Sequence, residues 1–289
     1  MSGMAVFRRE VGQRLLPIAS VLVACGSLAL PCSAQIYGMT NGNATVQINA
    51  GGGGTPGMTS WTVDGVNQVK QQWFYYGIGG GPNQSIDTLG NLFVDPRANS
   101  TTLNLTYSDL PTLPNYKITD DYQLSAFANG SGISQLGEQV TFYNLTANPL
   151  TLRFFDYSDY DLNGTPNGQS LTFYTKNAGL QTYFYQTAGS SILTNSAQYG
   201  LNKPTYLYGD LFSSTLQTIT NGSPSSLGSS HLTAGPGDVT GTLEWDITLA
   251  AGSSLQLSKT IYMVVPEPSV FGFLGMGLIA WAAVYRKRT

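Results

Sequence analysis

Cysteine and histidine are nearly missing from this chain, and charge is scarce. Its 289 residues include two cysteines, Cys25 and Cys32, one histidine, His231, and only 10% charged side chains. Both cysteines fall within the first 34 residues. A domain that starts at Gln35 therefore has no disulfide and no thiol nucleophile, and must be held by its core alone. One histidine excludes a catalytic zinc bound by several histidines. It sits in LGSSHLTAGPG, read as a flexible loop, and no Gly-x-Ser-x-Gly elbow accompanies it, which weighs against a Ser-His-Asp triad. Basic residues are few and isolated between Gln35 and Val265: fourteen Asp/Glu face seven Lys/Arg, a formal charge of −7. Without a basic stripe, nucleic acid is excluded as a partner.

Long apolar runs are confined to the two ends. Residues 1–34 place Arg8, Arg9 and Arg14 ahead of an apolar stretch and end in small residues before Gln35, the pattern of a secretory signal peptide. Within it, Leu22-Val23-Ala24-Cys25 is similar to a lipobox, in which the cysteine is acylated and becomes the new N-terminus. At the other end, Ser269 to Tyr285 carries no charge. As a helix rising about 1.5 Å per residue it reaches roughly 25 Å, just enough for a single transmembrane helix. Pro266 and Pro268 keep the segment before it extended, with Glu267 accessible between them. Arg286, Lys287 and Arg288 follow the apolar run, and such clusters stay on the cytoplasmic side, so the bulk of the chain is expected across the membrane.

The order Pro266-Glu267-Pro268, apolar span, Arg286-Lys287-Arg288 resembles the C-terminal signal of the PEP-CTERM class of exported bacterial proteins. That resemblance implies an exosortase as partner, a membrane-embedded cysteine transpeptidase that cuts near the PEP motif. It also implies transient inner-membrane anchoring, then a cell-surface or extracellular location, in bacteria that make exopolysaccharide and biofilm. A GPI signal has a hydrophobic tail too, but needs no basic end. The reading divides the chain into a signal peptide at 1–34, an ectodomain at 35–265 and a sorting signal at 266–289.

The ectodomain has the periodicity of strands. Leu103, Leu105 and Tyr107 alternate with polar residues, as do Val140 and Phe142, and Leu243, Trp245, Ile247 and Leu249. Turn clusters such as NGSG, LNGTPNG and NGSPSS separate these runs, and no stretch holds a helical period for three turns. The expected fold is all-β, a two-sheet β-sandwich of jelly-roll or Greek-key type. The glycine run at 51–54 reads as a flexible loop, since no Lys-Ser/Thr follows it to make a phosphate cradle.

DYSDYDLNGT is the best chemical candidate. Asp159, Asp161, Asn163 and Gly164 match the first half of a calcium-loop pattern, and Asp156 adds an oxygen. The closing acid of that pattern falls at Ser170 and is missing. The competing reading makes this stretch a hairpin turn between strands at 152–157 and 171–174. Asp120 and Asp121 are adjacent, so on a strand they face opposite ways. Trp61, Trp73, Trp245 and the many tyrosines fit either a sugar-binding platform or a core. Three functions follow in order: a structural component of the surface or matrix associated with exopolysaccharide, a carbohydrate-binding module, and a polysaccharide-acting enzyme using two carboxylates.

Overall fold

The computed structural model describes residues 34–95, 99–125, 127–176, 181–199 and 203–266. The chain divides into Met1–Cys32 and Ser33–Thr289. The first unit, with the expected signal peptide, lies outside the described residues, as does the expected transmembrane helix at 269–285. Among the described residues no helix is long and apolar enough to cross a membrane.

The described part is built almost wholly of strands. β1 (Ile36–Asn41), β2 (Ala44–Asn49), β3 (Gly57–Val63), β4 (Val66–Asn67), β5 (Gln71–Ile78), β6 (Gln84–Ser85), β7 (Asn91–Val94), β8 (Thr102–Ser108) and β9 (Tyr116–Ser125) come first. β10 (Ile133–Asn144), β11 (Leu150–Asp159), β12 (Gln169–Lys176), β13 (Gln181–Ala188), β14 (Ser191–Tyr199), β15 (Tyr206–Leu211), β16 (Thr233–Gly237), β17 (Val239–Leu249) and β18 (Ser254–Val264) follow. A short helix, α1 (Ser214–Thr220), lies between β15 and β16. The first sheet runs β1-β2-β3-β5-β11-β17-β15, with β4 on β3 and β6 on β5; the second runs β16-β12-β13-β14-β18-β10-β9-β8-β7. The strand pairings are antiparallel. The fold is the expected all-β, two-sheet sandwich.

Alternation explains the second sheet directly. In β8, Leu103, Leu105 and Tyr107 are buried while the residues between them are half-exposed. β18 repeats this with Leu255, Leu257, Ile261 and Met263. These side chains meet the first sheet in a shared core, where burying each large apolar group is worth about 1.5–3 kcal/mol. Phe142 of β10 packs edge-on to Phe154 of β11, and Trp61 Nε1 donates to Ser134 Oγ across the sheets at 3.0 Å. Gly241 in β17 serves close approach: a Cβ there would lie 2.4 Å from the Phe184 ring.

The first sheet departs from simple alternation. β17 buries both Leu243 and Trp245 on one side and Thr240, Thr242 and Glu244 on the other. The outer side is covered by α1, whose Thr215 and Ile219 are buried, and by the chain after it, where Leu227 N–H donates to Glu244 Oε2 at 2.7 Å. At two turns, α1 is shorter than the periodicity criterion detects, so its absence from the sequence reading follows from its length.

A buried ionic cluster lies between the sheets. Lys259 Nζ contacts Glu138 Oε2 at 2.5 Å and Asp156 Oδ1 at 2.9 Å, all three side chains essentially inaccessible. The Gln72 amide completes the set, its oxygen accepting from Nζ at 2.9 Å and its nitrogen donating to Glu138 Oε1 at 3.2 Å. That saturates the three donors of an ammonium. Asp120, beside them, is pushed well above its ordinary value by burial and by Glu138, while Tyr122 O–H donates to it at 2.5 Å.

Candidate functional site

The strand that precedes the sorting segment is central in the second sheet. β18 lies between β14 and β10, and its last backbone tie beyond Val264 is Val265 N–H to Gly132 O at 2.7 Å. Pro266 comes next, exposed and without an N–H, so the ladder cannot continue. Gly132 permits this exit: its φ is +65°, and a Cβ there would sit 2.0 Å from Val265 O. The same turn is tied by Asp64, which accepts from Gly130 N, Gly132 N and Asn43 Nδ2. Burial alone would raise that carboxyl, but the three hydrogen bonds outweigh it and hold Asp64 below its ordinary value. Glu267, Pro268, Arg286, Lys287 and Arg288 lie outside the described residues.

The outer face of the second sheet carries a row of polar and aromatic side chains. Register sets Tyr174 beside Tyr183, then Ser196, Thr260, Gly137, Gln123 and Thr102, one residue from each of seven consecutive strands. At about 4.8 Å per strand the row spans roughly 29 Å. A second row sets Thr172, Tyr185, Thr194, Tyr262 and Gln135 alongside it. Tyr174 and Tyr262 are exposed, Tyr183 and Tyr185 half-exposed, and the Tyr174 and Tyr185 rings lie 6.3 Å apart. Toward β8 the face hollows into a groove of about 650 Å³ lined by Asn104, Asp121, Gln123, Gly137, Gln139 and Ser258, among others. Asn104 Nδ2 donates to Asp121 there, while Asp120 points into the core, so the adjacent acids do face opposite ways.

Trp61, Trp73 and Trp245 are fully buried. The platform reading of these tryptophans is thereby corrected: they are core, and the aromatics of the two rows are tyrosines. His231 is not in a free loop. Its backbone exchanges hydrogen bonds with Leu207 and Gly209, its Nδ1 lies 2.8 Å from Gly209 O, and its ring packs on Tyr208.

The four calcium candidates separate. Asp156 points inward to Lys259. Asn163, at φ +64°, accepts from Ser191 Oγ at 2.6 Å and donates Nδ2 to Ala188 O at 3.2 Å. Only Asp159 and Asp161 come together, and the residue that joins them is Asp238, from the turn between β16 and β17. Carboxylate oxygens of these three lie within 4.8 Å of one another. Burial, then the charges of Asp238 and Asp161, push Asp159 up to about 8. The stretch is also not a hairpin: β11 belongs to the first sheet and β12 to the second, so residues 160–168 cross between layers. Asp238 was out of reach of sequence reasoning because it lies far along the chain and outside any spaced motif.

Among solved structures, a bacterial glucoamylase complexed with acarbose matches with a TM-score of 0.55 at 11% identity, over 85% of this chain and 35% of that one. The chain thus spans about a third of that protein's length, and the likeness is one of fold. A galactose mutarotase related enzyme from Lactobacillus acidophilus gives 0.48 at 9% identity, over 81% and 99% of the two chains. Among curated proteins none matches in sequence. The PEP-CTERM protein-sorting motif matches residues 264–288, starting at the last residue of β18. A sandwich whose central strand runs straight into that motif is an exported protein bearing the C-terminal PEP-CTERM sorting signal of an exosortase substrate.

Proposed function

We propose that the exported domain is a cell-surface or extracellular-matrix protein that associates with a neutral exopolysaccharide through the outer face of its second sheet. The observation that carries this reading is the pair of cross-strand rows, Tyr174–Tyr183–Ser196–Thr260 and Thr172–Tyr185–Thr194–Tyr262, leading into the groove at Asn104 and Gln123. Flat aromatic rings offer apolar faces to sugar C–H groups, and the neighbouring hydroxyls and amides offer hydrogen bonds. Charge is sparse along the rows, Lys176 standing over Tyr183, and the groove carries the acids Asp95 and Asp121, which favours an uncharged glycan over a polyanion. A long sheet face suits an extended polymer rather than a small metabolite.

The test is co-sedimentation of the purified protein with the host's own exopolysaccharide, using Tyr174→Ala, Tyr185→Ala and Tyr262→Ala. Each ring offers about 60 Å² to a ligand, so each loss should cost about 1.5 kcal/mol, or roughly tenfold in affinity. Undiminished binding by the triple variant would overturn the assignment of the face, no binding by the parent would leave a scaffold alone, and release of reducing ends would mark hydrolysis instead.

A further inference from the structure

We propose that Asp159, Asp161 and Asp238 form a divalent-cation site, best matched to calcium, that clamps the two sheets together. The three carboxylates arrive from separate places: the end of β11, the crossover that follows it, and the turn that leads from β16 into β17. An acidic cluster alone would be no site, because repulsion normally spreads such groups into solvent. Here Asp159 is 1% exposed. Among the described residues its buried Oδ1 accepts no hydrogen bond, and the donor to its other oxygen is Tyr157 O–H at 3.5 Å. Asp161 Oδ1 and Asp238 Oδ1 are buried and unpaired in the same way.

Buried acceptors without donors are costly, about 1–3 kcal/mol each and more when charged, so native folds satisfy them. Among the described residues the cationic side chain whose charge these acids feel is Lys70, one positive charge for three carboxylates. A divalent ion supplies the missing charge and accepts oxygens only, which is the donor set present. Calcium takes six to eight oxygens at 2.3–2.6 Å in flexible geometry, so carboxylates of mixed denticity with water can complete its shell, whereas magnesium demands a near-ideal octahedron. Asp161 also lines a surface groove of about 620 Å³ beside Lys70, Gln71 and Tyr75, which gives ion and water an approach.

The site ties β11 and β17 of the first sheet to β16 of the second, so its occupancy should register in global stability. The experiment is thermal denaturation of the purified full chain in detergent, stripped with chelator and titrated with calcium chloride, beside Asp238→Asn and Asp161→Asn. At a hundredfold excess over Kd, the melting temperature should rise by about 5–11 °C for a domain of this size, with calorimetry giving one ion per chain. Both variants should lose the shift, and their melting temperatures without calcium should equal or exceed the parent's, because one repelling charge is gone. A parent that shows no shift at millimolar calcium, or a variant that keeps it, overturns the proposal. Glycan co-sedimentation is a separate readout, so failure there leaves this site standing.

Discussion

Replacing Lys259 by Met removes the cation from the centre of the sandwich while keeping most of its volume. Glu138 and Asp156 then remain buried with the Gln72 amide as their neighbour in place of an ammonium. Breaking a buried pair by deleting one partner costs about 3–5 kcal/mol, because the other charge stays desolvated. For a domain of this length that is about 6–20 °C in Tm. The loss has a definite pH dependence. In the parent, burial opposes the charge on Lys259, but Asp156 and Glu138 win and raise its pKa, so its contribution is fully present below the ordinary lysine value and lost only in strong alkali. In the variant both acids are buried without a cation, and Glu138, already raised by burial, loses the Lys259 charge that opposes the rise. The unfolded chain then releases protons that the folded chain retains, and the deficit grows as pH climbs above the ordinary carboxylate value. Urea denaturation at pH 5 and pH 7.5 measures both features. Adding Glu138→Gln and Asp156→Asn should recover most of the lost stability, since a neutral, hydrogen-bonded core has no charge to bury. A deficit under about 1 kcal/mol at pH 7.5, or one that does not shrink in acid, would refute the argument.

Two further outcomes follow. Burial pushes Glu244 up to about 7 despite the Leu227 N–H it accepts, so the folded chain holds a proton that the unfolded chain loses above pH 4.5. Stability attributable to this group therefore falls as pH rises from about 4.5 to 7, and Glu244→Gln should gain on the parent in urea midpoint across that window; parallel curves would contradict the assignment. For the sorting motif, intact mass of the surface form should end near Pro266–Pro268, and replacing Arg286, Lys287 and Arg288 by Ala should reduce surface delivery; a mature mass that still includes Tyr285 would rule out processing.

Legibility in the sequence follows how a residue acquires its neighbours. Leu103, Leu105 and Tyr107 are readable because a period of two along one strand meets a single core. The outward polar residues Thr242 and Glu244 are buried because α1 and the chain after it cover the outer side of β17, a decision made by residues about 17 to 30 positions away. The tryptophans fitted a platform or a core equally well until the facing sheet covered them.

The sequence by itself determined the layered β architecture and the export signal. Both are written in contiguous patterns, alternation in the first case and the order of prolines, apolar run and basic end in the second. Tertiary structure alone decided that Asp156 belongs to Lys259, that Asp238 joins Asp159 and Asp161, and that the tyrosines of three strands share one face. Strand pairing and sheet stacking bring together residues tens to a hundred positions apart, and no local spacing records such encounters.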